Sequence, residues 1–327
     1  MYKVLGMGNA LVDIMTRLET DALLSDLNLP KGSMQLVDKF AAEIVIKGTQ
    51  HLKKQQSSGG SAANTIHGLA NLGIETGFIG TIGEDEFGTF FHEDLTKNKI
   101  QPKLFKGKTE SGRAIALVSP DSERTFATFL GAAIELSSEH LTDDIFDGYH
   151  YFHIEGYLVQ NHDLIRNAVV LAKQKGLRVS LDLASFNVVE ANIDFLKELI
   201  KTHVDIVFAN EEEAKAFTGM QPEEALHEIA KDCEIAIVKI GKNGSMVKNN
   251  GIVYTIGVIN ANSIDTTGAG DVYASGFLFG LVNGLSLQKC GEIGAVLSGK
   301  VIEVIGAKME ADTWDSIRKI VAEIQHS

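Results

Sequence analysis

From residue 149 to 240 the sequence repeats one pattern: a short apolar run, then a longer segment with helical spacing. Strand-like runs fall at 149–154, 178–183, 205–209 and 235–240, with helical segments at 161–175, 192–202, 211–218 and 222–231 between them. Strands joined through helices lie parallel, because the helix supplies the crossover that a tight turn cannot. The pattern therefore predicts an α/β fold with a mostly parallel central sheet and helices on both of its faces. Ligands of such sheets gather beyond the carboxyl ends of the strands. Polar residues stand at those ends: Glu155, Asp182, Asn210 with Glu213, and Lys239 with Gly241 and Gly244.

The first half is less regular. Residues 4–13 read as one strand that meets a turn at Gly6 and Gly8, with Asn9 and Asp13 near its end. It is no dinucleotide fingerprint, since Leu11 stands where the third glycine belongs. Asn9 and Asp13 are either a solvated strand end or part of a site. Helices are expected at 41–54 and 85–98, and a buried strand at 78–83. The runs 113–118 and 124–129, joined by Ser119-Pro120-Asp121-Ser122, predict a β-hairpin. Together with strand-like pieces in 14–40, it suggests a small second sheet placed as a lid over a cleft. Arg124 either faces solvent or reaches an anionic group.

Three short stretches carry candidate chemistry. Asp265-Thr266-Thr267-Gly268-Ala269-Gly270-Asp271 runs into a helix. Its glycines permit a sharp turn with bare N–H groups at a helix N-terminus, a setting that favours an anion. Asp271 places a carboxylate beside it, so a base and an anion cradle adjoin, as phosphoryl transfer to a hydroxyl requires. The plainer alternative is a tight loop with Asp271 as a cap. Gly59-Gly60-Ser61-Ala62-Ala63-Asn64 allows close approach of a ligand and puts Asn64 about one turn into a helix. Asn210 and Glu213 share a helix face and could hold a hydrated magnesium ion, or form a capping box. The segment 238–245 is a strand, a glycine-bounded turn and a strand, and is no Walker loop. His153 and Glu155 have the spacing of zinc deaminases without the cysteines that must follow, which excludes that chemistry.

Composition removes further classes. The net charge of −13, with 43 acidic against 30 basic residues, argues against a nucleic-acid partner. Two cysteines, Cys233 and Cys290, support neither a disulfide framework nor a cysteine-rich metal site. No apolar run approaches the roughly 20 residues that cross a bilayer. The chain opens on a strand-like segment with no leader pattern, so a cytoplasmic protein is expected.

The glycine pair with Asn64, the Asp265–Asp271 stretch, Asn210-x-x-Glu213 and the intervening hairpin together resemble the ribokinase-like carbohydrate kinases, the phosphofructokinase-B family, nearly end to end. The resemblance implies one kinase domain over 1–327, with lid segments at about 14–40 and 107–131. It makes Asp271 the base and the amides of Gly268, Ala269 and Gly270 the anion hole. Asn9, Asp13, Gly59, Gly60, Asn64 and Arg124 would serve the acceptor. Lys239, Gly241, Gly244 and Thr266 would border ATP, and Asn210 and Glu213 would position magnesium through water. The carbonyls around Asp265 and Thr267, with Ile302 to Ala307, could enclose a monovalent cation such as potassium, as in some members. The opening Gly6-Met7-Gly8-Asn9 and the hairpin end Thr125–Ala133 look most like adenosine kinases, implying transfer to a ribose 5′-hydroxyl. Another sugar kinase, or a catalytically silent nucleotide or sugar sensor, are the alternatives. The resemblance is compatible with a monomer or a homodimer.

Overall fold

The computed structural model describes residues 2–121 and 123–327, so Ser122 of the expected hairpin turn lies outside the described residues. Fourteen strands form two sheets among them. In chain order they are β1 Val4–Met7, β2 Leu11–Arg17, β3 Met34–Leu36, β4 Lys54–Gly59, β5 Thr76–Ile82, β6 Ile100–Lys106 and β7 Gly112–Val118. There follow β8 Arg124–Phe129, β9 Tyr151–Glu155, β10 Arg178–Asp182, β11 Ile206–Asn210, β12 Ile235–Lys239, β13 Ser245–Asn249 and β14 Ile252–Ile256. The large sheet runs β14-β13-β12-β11-β10-β9-β1-β5-β6, and the small one β3-β8-β7-β2-β4.

The alternating region folds as its pattern predicts: β9 to β12 are parallel, and β13 turns back antiparallel on β12. Their near-continuous apolar runs, such as Ile-Val-Phe-Ala in β11, are buried on both faces, as a sheet covered by helices on each side requires. One face packs on the helices Ser61–Asn71, Ala269–Val282, Leu287–Val301 and Ala311–His326, with Phe208 edge-on to Phe277. The other packs on His162–Gln174, Ile193–His203 and Pro222–Ile229 through Leu164, Leu196 and Leu226. No helix among the described residues is long and apolar enough to cross a membrane.

Two expectations need correction. Residues 4–13 are not one strand. β1 belongs to the large sheet and β2 to the small one, with a break at Gly8-Asn9-Ala10. The break has a cause: the Asn9 N–H donates to the buried Glu155 carboxylate instead of to a neighbouring strand. Asn9 is accordingly buried rather than a solvated strand end. The helix expected over 41–54 is Lys39–Gly48, capped by Asp38, and Lys54–Gly59 is instead β4, antiparallel to β2. The small sheet thus takes in residues outside 14–40 and 107–131. The hairpin β7–β8 forms with Val118 opposite Arg124.

Candidate active site

Two helix N-termini meet on the floor of the cleft between the sheets. Gly60, at φ 99°, turns the chain from β4 into the helix Ser61–Asn71. Gly268, at φ 74°, does the same before the helix Ala269–Val282. Each is a left-handed position that a side chain would strain and crowd, Gly60 against the Asn9 carbonyl and Gly268 against Ala307. The helices are pinned where they cross: Thr65 Oγ1 donates to the Asp271 carbonyl at 3.0 Å, and Ser275 Oγ donates to the Thr65 carbonyl at 2.8 Å. Gly68 leaves just enough room for Ser275 there.

This crossing presents Asp271 to the partner helix. Its Oδ1 accepts from Ser61 Oγ at 2.8 Å and its Oδ2 from Asn64 Nδ2 at 3.0 Å. Burial pushes its pKa up to about 6, while the Asn64 and Ser61 hydrogen bonds pull the other way. The result is a fixed carboxylate, ionised at neutral pH yet more basic than an exposed aspartate, which is the requirement for a general base. Of the three amides in the Gly-Ala-Gly turn, that of Ala269 is already turned onto the Thr266 carbonyl at 3.2 Å.

The ends of β10, β11 and β12 add Asp182, Asn210 and Lys239 side by side. Lys239 Nζ donates to Asp182 Oδ2 at 2.9 Å, and a Cβ on Gly270 would lie 3.0 Å from that ammonium. Burial disfavours the charge on Lys239, but Asp182 and Glu213 outweigh it and leave its pKa raised. Asn210 and Glu213 form the capping box: the Glu213 N–H donates to Asn210 Oδ1 at 2.8 Å, and the Asn210 N–H and Nδ2 donate to the Glu213 carboxylate at 2.8 and 2.7 Å. Each residue thus satisfies the other's donors. Burial, helped by Asp182, brings Glu213 up to about 7.

Opposite lies Asp13 on β2, raised to about 7 by burial although Lys308 opposes the shift. A side chain on Gly59 would occupy the space of the Asp13 carboxylate, so that glycine makes room for it. Asn9 donates through its N–H at 2.9 Å and its Nδ2 at 2.6 Å to Glu155 Oε1, while Glu155 Oε2 accepts the Ala62 N–H at 3.0 Å. Glu155 therefore ties the β1–β2 break to the helix N-terminus.

A cavity of about 1470 Å³ runs between these groups. It brings together Asn9, Asp13, Gly60, Asn64, Asn210, Glu213, Lys239, Gly241, Gly244, Thr266, Thr267 and the 268–271 turn. Gly59, Arg124 and Asp265 do not line it. Arg124 is the clear departure: it is buried against Asp265 and Thr267 rather than facing an acceptor. Ser61 was missed, although its place directly after the glycine pair, at the first helical position, was a usable signal. Nothing in the sequence marked Lys308, whose buried Nζ has no hydrogen-bond partner among the described residues and whose pKa burial lowers to about 8.

Comparison with known proteins agrees in kind. A model of the pfkB family of carbohydrate kinases matches residues 37–314. The structure is similar to a probable sugar kinase protein from Rhizobium etli CFN 42, with TM-score 0.88 and 33% identity over 99% of each chain. It is also similar to the adenosine kinase from Sinorhizobium meliloti, with TM-score 0.87 and 34% identity, covering 98% of this chain and 99% of that one. The 5-dehydro-2-deoxygluconokinase of Geobacillus thermodenitrificans is 27% identical over 299 residues, 82% of this chain and 85% of its own. The acceptors in these names differ.

Proposed function

Because the chain belongs to the pfkB family of carbohydrate kinases, and so transfers a phosphoryl group to an alcohol, we propose that its acceptor is a nucleoside, with adenosine first, phosphorylated on the ribose 5′-hydroxyl by ATP. One observation carries the choice of acceptor. Past Asp13 and Asn64 the cavity is walled by Met34, Leu36, Phe126, Ile134 and Leu136, an apolar shelf next to a polar pair. A ribose with a flat base matches that division, whereas a free sugar offers hydroxyls all round and leaves the shelf dry and unused. Among the described residues lining the cavity only Lys239 and Lys242 are basic, both at the nucleotide end; Lys308 and Arg124, whose charges act on Asp13, lie outside the lining, which disfavours a phosphosugar. The volume exceeds the roughly 300–1,000 Å³ of a single-ligand pocket, in keeping with two substrates side by side. The likeness to the Sinorhizobium meliloti adenosine kinase supports the same reading.

In this reading Asp13 binds the ribose hydroxyls, with Gly59 leaving space for its carboxylate and Gly60 letting the sugar approach the backbone. Asn64 and Ser61 hold the Asp271 carboxylate in one orientation, and Asp271 takes the proton of the attacking hydroxyl. The Gly268 and Gly270 amides and the Lys239 ammonium face the charge that develops on the transferred group. Gly241 leaves an open edge for the nucleotide, Gly244 at positive φ turns the chain close against the Ile256 carbonyl, and Thr266 borders the same end. The small sheet excludes water, which would otherwise take the phosphoryl group.

Kinases of this family use ATP and typically magnesium. Asn210 and Glu213 would position a divalent ion through water, since the oxygens that accept from each other's N–H groups keep lone pairs for water, and no cluster of three metal-ligating side chains occurs among the described residues. Magnesium on the nucleotide would shield phosphate charge. ADP release from magnesium-ATP across adenosine, inosine, guanosine, ribose, fructose and fructose 6-phosphate tests the proposal. Leadership by a free sugar removes the nucleoside and leaves the kinase, and silence across all six favours a nucleotide sensor.

A further inference from the structure

Lys308 brings a positive charge behind the acceptor end without reaching the cavity. The segment that carries it is wedged in place from two sides. A Cβ on Gly268 would meet the Ala307 methyl, and a Cβ on Gly306 would lie 3.0 Å from Met15 Cε. The Gly306 N–H also donates to Asp265 Oδ2 at 2.6 Å. Met15 follows Asp13 by two residues on β2, so the two side chains leave the same face of the strand. Lys308 comes next along this wedge, and its buried Nζ has no hydrogen-bond partner among the described residues. The charges that act on it are, in order, Asp94, Asp13 and Asp271. Asp94 is already engaged, accepting from Ser58 Oγ and from Asn98 Nδ2 at 3.2 Å. His67 also faces it, and burial first, then Lys308, lowers that imidazole's pKa well below the ordinary value, so it stays neutral.

Asp13 is the complement of this lysine. No hydrogen bond to its carboxylate occurs among the described residues, so both oxygens are free for an acceptor. Charges alone steady it: Lys308 first and Arg124 after it favour the carboxylate, while burial and Asp271 oppose it. A buried ammonium with no partner is costly, and a methionine of similar length would fill the same space at less cost. We infer that Lys308 is the counter-charge of the acceptor site: its ammonium keeps Asp13 in the carboxylate form that accepts two hydroxyls, and it does so from behind the site. Lys308 does not line the cavity, so it acts through Asp13 and is a positioning residue. The inference rests on the reading of Asp13 as the group that binds the acceptor, not on which alcohol the acceptor is.

The test is the acceptor KM and kcat with magnesium-ATP at about pH 7, for the leading acceptor of the six. With its pKa at about 7, Asp13 is ionised in about half of the molecules there, and a rise of about one unit leaves about a tenth. Lys308→Met and Lys308→Gln should therefore raise KM by about fivefold or more and change kcat by less than about threefold. Lys308→Arg, which keeps the charge, should stay within about twofold of the wild-type KM. In an Asp13→Ala background Lys308→Met should add nothing, because the group it acts through is gone. A methionine variant whose KM stays within about twofold of wild type, or whose effect persists in full beside Asp13→Ala, overturns the inference. An Asp13→Ala protein with an unchanged KM instead removes the acceptor reading of Asp13 itself, which separates the two failures. Failure of both uncharged variants to fold also overturns the inference, since the charge would then serve the core and not the acceptor.

Discussion

Replacing Asp271 by Asn separates the chemistry from the architecture that surrounds it. The side chains have the same shape, so the question is whether the hydrogen bonds from Ser61 and Asn64 survive. One amide oxygen can accept from only one side of that clasp, and the new NH₂ would face a donor. The structure contains its own remedy: Asn64 Oδ1 has no partner, and turning the Asn64 amide over lets it accept from the new NH₂. The fold should therefore hold. It should even tighten, because burial keeps the Asp271 pKa raised from 3.8 to about 6. The sign follows from linkage: the native state binds the proton more strongly than the unfolded chain, so this group's contribution falls as pH rises from about 4 to about 6 and is unfavourable above that. Two units correspond to about 3 kcal/mol, which water in the open cavity reduces to ~1–2 kcal/mol of gain for Asp271→Asn at about pH 8. Turnover moves the other way. Loss of a positioned base costs about 10²–10⁴-fold in kcat, or ~3–5 kcal/mol of transition-state stabilisation. Coupled ADP release from pH 5 to about 9 reads both effects. Wild-type kcat/KM should climb to a plateau through about pH 6, and the variant should lose both the plateau height and the climb. A variant with at least about a third of wild-type kcat, or with the acid limb intact, would refute the assignment of Asp271 as base.

Two further substitutions divide binding from chemistry. Asp13→Ala should raise the acceptor KM by about tenfold or more, the ~1.5–3 kcal/mol of hydrogen bonds to a charged group, while kcat for bound acceptor changes less; an unchanged KM would remove Asp13 from the acceptor site. Lys239→Met should lower kcat by about 10²-fold through loss of a charge aimed at the transferred group. Because Lys239 also lowers the Asp271 pKa, the acid limb should move to higher pH, and a limb that stays in place would show that the two groups do not interact.

The architecture was legible where a single period governs the chain. The strands β9 to β12 and their helices lie within a few residues of where the alternation puts them, because each apolar run is buried on both faces and nothing local competes. It was not legible at Gly8-Asn9-Ala10, where an apolar run continues in sequence but the chain changes sheet. The cause is a glutamate 146 residues away. β4 was hidden for another reason: Lys-Gln-Gln-Ser-Ser-Gly has no apolar alternation, and its strand is imposed by pairing with β2. In the site, the motifs pointed to the two helix N-termini that the structure crosses. They offered the Asn210–Glu213 capping box, which does form, only as the alternative to a magnesium site, and an anionic partner for Arg124 without saying that it is Asp265. Long-range ion pairs leave no spacing to read.

The acceptor decides the account, and the most direct measurement is the ratio of kcat/KM for adenosine to that for ribose with magnesium-ATP. The apolar shelf sets its size. About 100 Å² of base surface removed from water at ~25 cal/mol per Å² is ~2.5 kcal/mol, a preference of about 70-fold for adenosine. A ratio of that order or larger, with AMP as the product, is what the nucleoside proposal predicts. A ratio near or below one would mean that Met34, Leu36 and their neighbours do not receive a base, and the nucleoside reading would be wrong.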